Sequence, residues 1–398
     1  MMDLRFTEQE IAFRDEARAF FRTQIPADIR HKVAQGRHLS KEDIVTAHRI
    51  IHARGWAVPH WPREWGGQDW SAVQRYIFEE EMQRAAVPNP LPFNVSMVGP
   101  VIATFGNEAQ KHRFLPPTAS LDMWWCQGFS EPGAGSDLAS LRTRAERDGD
   151  VFVVNGQKAW TTLGQHADWI FCLVRTDREA KRQQGISFLL IDMKTPGITV
   201  RPTILIDGTH EVNEIFFDDV RVPAENLVGE INKGWDYAKF LLGNERTGIA
   251  RVGMTKQRIE QAKRLARETP MGDGTLWSDA DFRRRVAMLD VQVKALELTQ
   301  MRVVAAKRED SGKPDPNSSI LKIRGSELQQ ASTELLKDIA GPFALPEADE
   351  RAPSNEASFA PDWAPFAAAS YFNYRKVSIY GRSNEIQRNI IAKAFLGL

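Results

Sequence analysis

The sequence predicts an α+β protein of three domains, helical at both ends and β in the middle, from three observations. Helix N-cap patterns and an amphipathic stripe occur within the first 120 residues. Short β-branched and aromatic runs separated by turn residues follow, up to residue 230. Long segments of helical period then return. We therefore predict an N-terminal helical domain over 1–120, a middle antiparallel β domain over 121–230 and a C-terminal four-helix bundle over 231–398.

The N-terminal helices are predicted from their start signals. Capping boxes occur at Thr7-x-x-Glu10, Ser71-x-x-Gln74 and Asn107-x-x-Gln110. An apolar stripe at helical spacing follows the first, and Pro116-Pro117 predicts the end of the helix that the third one starts.

The middle domain is predicted from turns and strand-like runs. Asp148-Gly149 and Asn155-Gly156 are typical hairpin turns. Runs that favour strands lie at 170–174, 186–191, 198–200 and 214–217.

The C-terminal helices are predicted at 235–267, 281–307, 318–339 and 384–395, which suggests a bundle. The segment 341–371 is too long and irregular for an ordinary bundle loop, so we expect a functional or interface role for it.

Composition excludes several classes of protein. The chain has 398 residues, and its 52 Lys plus Arg balance 52 Asp plus Glu, so no net field favours nucleic acid or an anionic membrane. Only Cys126 and Cys172 are present, without C-x-x-C spacing, which argues against a disulfide framework or a Cys-rich zinc site. No signal peptide or membrane-spanning run is evident, so we expect a cytoplasmic protein.

Three motifs resemble known functional sites but lack residues that those sites need. Gly133-Ala134-Gly135 lacks the third glycine of a dinucleotide fingerprint, because Leu138 stands there. The stretch from His210 to Glu214 resembles a zinc helix but lacks the second histidine and lies in a predicted strand, so we expect no metal. Ser319-x-x-Lys322 lacks the companion motifs of a serine acyltransferase and fits a helix start.

The loop from Phe129 to Asp137 carries two glycines and two hydroxyls, which suit close approach to a polar ligand. An ordinary Gly-Ser-Asp turn fits the same residues. With Asn155-Gly156-Gln157-Lys158-Ala159-Trp160, Phe217-Asp218-Asp219-Val220-Arg221-Val222-Pro223 and Asn226-Leu227-Val228-Gly229, this loop resembles the acyl-CoA dehydrogenase family in order and spacing. The resemblance covers essentially the whole chain.

The resemblance implies FAD bound without a Rossmann fold. Ser130 would face the pyrimidine edge of the flavin, Trp160 would pack on the isoalloxazine, and Thr162 would hydrogen-bond near flavin N5. The full set of implied cofactor contacts is Gln127, Phe129, Ser130, Gly135, Ser136, Trp160, Thr161, Thr162 and Ser383. Taken alone, Trp160 favours a core position over a cofactor wall, so its assignment rests on the resemblance.

The reaction implied is removal of two hydrogens across Cα and Cβ of an acyl-CoA thioester, with a carboxylate as base and the β hydride passing to flavin N5. Many members carry that glutamate where Gly381 stands here, but a subset of the family places it on an early helix of the C-terminal domain. Leu242-Gly243-Asn244-Glu245-Arg246 resembles that pattern, so the resemblance implies Glu245 as the candidate base. A solvated helix face is the alternative for Glu245 and Arg246. The backbone N–H of Gly381 would polarise the carbonyl. Substrate contacts are expected from Ser136, Arg246 and Arg382.

Two segments depart from the homotetrameric members of the family. Their Arg-x-x-Phe-Gly and Gln-x-x-Gly-Gly segments reach a neighbour's FAD, and the residues here, 268–274 and 338–343, do not match. We therefore expect a second, related subunit in an α2β2 assembly, as in the heteromeric members acting on pimeloyl-CoA or steroid side chains, with a homo-oligomer as the alternative. The expected electron acceptor is an electron-transferring flavoprotein. An acyl-CoA oxidase or a non-catalytic structural subunit remains the alternative function.

Overall fold

The computed structural model of the chain describes residues 5–244, 250–306, 317–346 and 359–397. Their elements run helical, then mainly β, then helical, which confirms the predicted α+β class. The helices are α1 (Glu8–Thr23), α2 (Ala27–Gln35), α3 (Lys41–Ala53), α4 (Ala72–Arg84), α5 (Gly99–Phe105), α6 (Glu108–Ser120), α7 (Gly234–Asn244), α8 (Val252–Glu268), α9 (Ala280–Ala306), α10 (Asn317–Ala340), α11 (Pro365–Asn373) and α12 (Asn384–Ile391). The strands are β1 (Trp125–Gly128), β2 (Arg144–Asp148), β3 (Val151–Thr162), β4 (Trp169–Arg175), β5 (Ile186–Asp192), β6 (Ile198–Ile204), β7 (His210–Pro223), β8 (Pro270–Met271) and β9 (Gly274–Thr275).

The described residues divide into two compact units. One takes its residues from Met1–Asp43, Trp70–Asn89 and Arg246–Leu398, and the other takes them from Ile44–Asp69 and Pro90–Glu245. The three-domain boundaries near residues 120 and 230 therefore remain a prediction.

The three predicted capping boxes are confirmed at the starts of α1, α4 and α6. In each, the N-cap side chain accepts from the N3 backbone and the N3 side chain returns a bond to the N-cap backbone. The predicted stop at Pro116-Pro117 is wrong, since α6 continues to Ser120. The prolines lack N–H donors, but a buried face that includes Phe114 and Ala119 carries the helix past them.

The sheet of the second unit has the order β1-β4-β2-β3-β7-β6, with β5 also paired to β4. It is mainly antiparallel, but β1 runs parallel to β4, and β2 meets β4 at one parallel pair. Its core includes Phe152, Ile170, Leu189 and Ile215. The Asp148-Gly149 turn is confirmed, because Asp148 pairs with Val151 across it.

The predicted hairpin turn at Asn155-Gly156 is wrong. Strand β3 continues through both residues and contains a bulge between Val154 and Gly156. Gly156 has φ 149°, and a Cβ there would lie 2.7 Å from the Cα of Thr143. Glycine is therefore needed for close approach of the neighbouring backbone.

The first unit contains a helical core. Helices α8, α9 and α10 contribute Ile259, Val286 and Leu328 to it, among others. Gly325 of α10 lets the chain before α8 approach, because a Cβ at Gly325 would lie 2.7 Å from the Cα of Ala250.

A single helix over 235–267 is wrong. Helix α7 ends at Asn244, and α8 begins at Val252 after Arg251, whose left-handed φ of 48° does not continue an α-helix. Within the irregular segment 341–371 the structure also contains the start of α11, which the sequence patterns did not indicate.

Neither a membrane-spanning helix nor a metal-binding cluster is found among the described residues. None of their helices is both long and apolar enough to span a bilayer. No group of three or more His, Cys, Asp or Glu side chains in this part of the chain is placed to hold a metal ion, and His210 begins strand β7 as expected.

Candidate functional site

A buried ion pair fastens the loop after β1 to strand β3. The Nζ atom of Lys158 donates to Oε1 of Glu131 at 2.7 Å and to the carbonyl of Phe129 at 3.2 Å. Lys158 is fully buried and Glu131 is 7% exposed. Glu131 also accepts from the backbone N–H groups of Arg142 at 2.7 Å and Thr143 at 2.9 Å. One carboxylate therefore joins the loop, β3 and the segment that leads into β2.

The environment keeps Glu131 ionised. Burial raises its pKa, but the nearby Lys158 ammonium and the hydrogen bonds to the carboxylate outweigh that effect and hold the pKa below its ordinary value. The backbone N–H of Ala159 donates to the carbonyl of Ser130 at 2.9 Å. Ser130 is thus held against β3, one residue from Trp160.

Trp160 lies in a second bulge of β3, between Lys158 and Thr161. Its φ of 60° is in the left-handed region, where a bulky residue is strained unless its surroundings compensate. Its side chain is 65% exposed. This exposure decides against the core position that the sequence left open for Trp160. An exposed indole on a strained backbone is typical of a surface that binds a planar ligand.

Thr161 follows Trp160 and points a polar atom into the protein. Its Oγ1 is buried and has no hydrogen-bond partner among the described residues. Its carbonyl accepts from Nδ2 of Asn213 at 3.1 Å, and Oδ1 of Asn213 lies 2.7 Å from Nε2 of His210. Asn213 is fully buried, so it fixes the backbone that carries Thr161 and the half-buried Thr162. The exposed indole fits a planar cofactor, whereas the Thr161 side chain is fully buried and is not exposed at that surface.

The remaining loop residues differ in their surroundings. Gly135 and Ser136 are exposed, and a Cβ at Gly135 would meet nothing within 4 Å, so sterics do not require glycine there. Gln127 is half-buried on β1. The ring of Phe129 is buried edge-on to Phe171, with centroids 5.7 Å apart, so its side chain serves packing.

The C-terminal site residues lie in the other compact unit, immediately before α12. Gly381 and Arg382 have consecutive left-handed φ angles of 64° and 72°. Ser383 is the N-cap of α12, and its side chain accepts from the backbone N–H of Ile386. The candidate base Glu245 and its neighbour Arg246 lie outside the described residues.

The structure therefore brings the predicted residues together in two groups, one around Ser130 and Trp160 to Thr162, the other from Gly381 to Ser383. The sequence reasoning missed Glu131, Lys158 and Asn213 as residues that shape the first group. The one available signal for Lys158 was its place inside a run of strand residues. Lysine is rarely fully buried unless it is paired, so a lysine in a buried strand indicates a partner.

Comparisons with known proteins agree with this organisation. Three domain descriptions match in order: "Acyl-CoA dehydrogenase, N-terminal domain" over residues 7–122, "Acyl-CoA dehydrogenase, middle domain" over 126–220 and "Acyl-CoA dehydrogenase, C-terminal domain" over 232–396. Acyl-CoA dehydrogenase IpdE1 of Mycobacterium tuberculosis is 36% identical over 87% of this chain and 86% of its own length. Acyl-CoA dehydrogenase FadE26 of the same organism is 32% identical over 100% of this chain and 99% of its own length.

Solved structures agree as well. The structure described as the Tcur3481-Tcur3483 steroid ACAD has a TM-score of 0.85 and 31% identity, covering 100% of this chain and 99% of that one. The ChsE4-ChsE5 complex from Mycobacterium tuberculosis has a TM-score of 0.84 and 31% identity with the same coverage. The chain therefore belongs to the acyl-CoA dehydrogenase family and, like its relatives, is an oxidoreductase.

Proposed function

We propose that this protein catalyses the FAD-dependent α,β-dehydrogenation of an acyl-CoA thioester to the 2-enoyl-CoA, as one subunit of an α2β2 assembly. The observation that carries the proposal is Trp160, a strained and 65% exposed indole at the end of a strand whose neighbouring loop is fixed by a buried ion pair. Members of the family generally depend on FAD, and these residues suit a flat ring system.

The flavin would be held by the first group of site residues. The exposed indole of Trp160 would pack on its ring, Ser130 would contact its pyrimidine edge, and Thr162 would hydrogen-bond near N5. The half-buried Gln127, the backbone of Phe129, Gly135, Ser136 and Thr161 complete the proposed contacts of this group. Ser383 of the second group is proposed as a further cofactor contact. When bound, the flavin supplies an acceptor for the β hydride.

Glu245 is the proposed base for the α proton. A carboxylate shielded from water beside a thioester has a raised pKa, which brings it nearer to the working range of a general base. The backbone N–H of Gly381 would stabilise negative charge on the thioester oxygen, and a left-handed residue at this position fits a turn that presents backbone donors. Arg246, Arg382 and Ser136 are proposed to bind the CoA portion.

The substrate class is proposed from the similar proteins. A structure 31% identical over the whole chain is described as a steroid ACAD. We therefore propose a bulky acyl group of the steroid side-chain type. Two of the similar structures name two components each, Tcur3481-Tcur3483 and ChsE4-ChsE5, and these names support a second, related subunit for this chain.

The flavin site is tested by two variants of exposed side chains in the same compact unit. Trp160→Ala should weaken FAD binding about five- to 150-fold, because stacking of an aromatic side chain on a planar ring contributes about 1–3 kcal/mol. Ile206→Ala is the control, since Ile206 is 77% exposed but lies at the β6–β7 connection. Flavin fluorescence titration of the purified chain, with and without its partner, measures both affinities. Equal affinities for the two variants would contradict the flavin assignment.

The base is tested by Glu245→Gln. It should retain flavin and acyl-CoA binding but lower kcat by about 10²–10⁴, the usual contribution of a general base. Glu268→Gln, on the exposed end of α8, is the control and should turn over normally. Activity is followed by dye reduction and by peroxide formation with an acyl-CoA series. Full turnover by Glu245→Gln would exclude this base. Stoichiometric peroxide would instead indicate an oxidase, and a chain that never takes up FAD would indicate a structural subunit.

A further inference from the structure

Helix α10 carries buried polar side chains on the face that meets the segment before α12. Lys322, Ser326 and Gln330 recur at intervals of four residues, so they share one face of the helix; Lys322 and Ser326 are buried and Gln330 is half-buried. Gln330 donates from Nε2 to the carbonyls of Tyr374 at 3.3 Å and Arg375 at 3.2 Å. A helix face of this kind is usually apolar in a bundle, so the polar side chains need a specific explanation.

Lys322 is the charged member of this face. It is 3% exposed, and its Nζ donates to the carbonyl of Val377 at 3.0 Å and to Oδ1 of Asn384 at 2.9 Å. Asn384 is also buried, and its Nδ2 donates to Oγ of Ser326 at 3.0 Å. One ammonium therefore holds both ends of the segment 377–384.

The burial of Lys322 is unfavourable by itself. Desolvation lowers its pKa to about 8, against a smaller opposing effect of Glu385. The hydrogen bonds from its ammonium to Val377 and Asn384 go to neutral oxygens rather than to a carboxylate. Charge pairing therefore does not explain why Lys322 is buried. The physical consequence of its burial is that its two hydrogen-bond partners are fixed in place.

The segment that Lys322 bridges has an unusual backbone. Gly381 and Arg382 are both left-handed, with φ angles of 64° and 72°, and the turn leads directly into the N-cap Ser383. Consecutive left-handed residues are unfavourable, especially where one of them is not glycine. Such a conformation persists only when the surrounding structure determines it.

We infer that Lys322 is a positioning residue, which holds Val377 and Asn384 so that the turn between them presents the backbone N–H of Gly381 in a fixed direction. The inference deepens the proposed function and rests on it, since that N–H is the proposed donor to the thioester oxygen. Lys322 contacts neither substrate nor cofactor in this scheme; it acts through the backbone of segment 377–384.

The test combines hydrogen exchange with kinetics on the full chain and its partner. Lys322→Met keeps a long apolar side chain but removes the ammonium, and Asn384→Ala removes one of its two acceptors. Amides of 378–383 should exchange about tenfold faster in either variant, because a local opening loses its restraint. Turnover should fall about tenfold with little change in KM, because a misdirected donor affects the transition state more than binding.

Lys256→Met is the matched control. Lys256 belongs to the same compact unit and is half-buried, but it pairs with Glu80 and Glu297 at 2.6 Å each and makes none of the contacts to segment 377–384 described above. Its loss should leave exchange of 378–383 and kcat unchanged. If Lys322→Met unfolds, Asn384→Ala decides the question.

Unchanged amide exchange at 378–383 in folded Lys322→Met, or in Asn384→Ala if Lys322→Met unfolds, would overturn the inference. Faster exchange with full turnover would overturn it as well. If the wild-type protein turns over no acyl-CoA, the proposed function fails. The exchange measurement then still decides whether Lys322 holds the segment.

Discussion

The buried pair of Glu131 and Lys158 supports a prediction about the cost of separating two buried charges. In Glu131→Gln the Lys158 ammonium stays buried but loses its negatively charged partner, and the carbonyl of Phe129, at 3.2 Å, is a neutral acceptor. Removing one partner of a buried ion pair costs about 3–5 kcal/mol, because the other charge is left uncompensated. We expect a loss of that size in the free energy of unfolding, and weaker flavin binding because the loop with Ser130 is no longer fixed.

The double variant Glu131→Gln/Lys158→Met should be more stable than Glu131→Gln alone, since it leaves no buried charge uncompensated. Asp137→Asn is a control in the same loop. Asp137 pairs with Arg182 at 3.0 Å, but their side chains are 60% and 70% exposed, and such pairs contribute about 0–1 kcal/mol. Urea unfolding followed by tryptophan fluorescence measures all four proteins. The reasoning is refuted if Glu131→Gln loses no more stability than Asp137→Asn.

Two further predictions concern stability. His48 is buried, its Nε2 lies 2.9 Å from the carbonyl of Ala119, and burial lowers its pKa to about 4. The folded protein therefore binds fewer protons here than the unfolded chain between that pKa and about 6.5, so stability should fall as pH drops through this range, by about 3 kcal/mol at most. Urea unfolding at pH 7 and 4.5 should show a smaller fall for His48→Gln, and an equal fall would contradict this. Gly156→Ala should cost about 1–3 kcal/mol in a thermal or urea unfolding measurement, because its Cβ would meet Thr143; an unchanged midpoint would contradict the required close approach.

Local signals in the sequence predicted local structure. The capping boxes at Thr7, Ser71 and Asn107 occur as predicted, because an N-cap and its N3 partner are three residues apart and need no tertiary contact. The Asn155-Gly156 signal failed for the complementary reason. An Asn-Gly pair makes a turn only where the flanking strands pair with each other, and here β3 pairs with β2 and β7.

The predicted site shows the same division. The loop motif with Ser130 and the motif with Trp160 were found from sequence because they are contiguous runs. Whether Trp160 is core or surface depends on which residues surround it after folding, and its 65% exposure is a property of the folded chain alone.

The sequence by itself determined the order of the elements, the family and the candidate residues, since these are carried by short motifs and by periodicity. Only the tertiary structure decided which side chains hold those candidates in place. Glu131 and Lys158 are 27 residues apart and Lys322 and Asn384 are 62 apart. No local pattern links such positions, because their pairing arises only when distant segments pack and their buried polar groups must find partners.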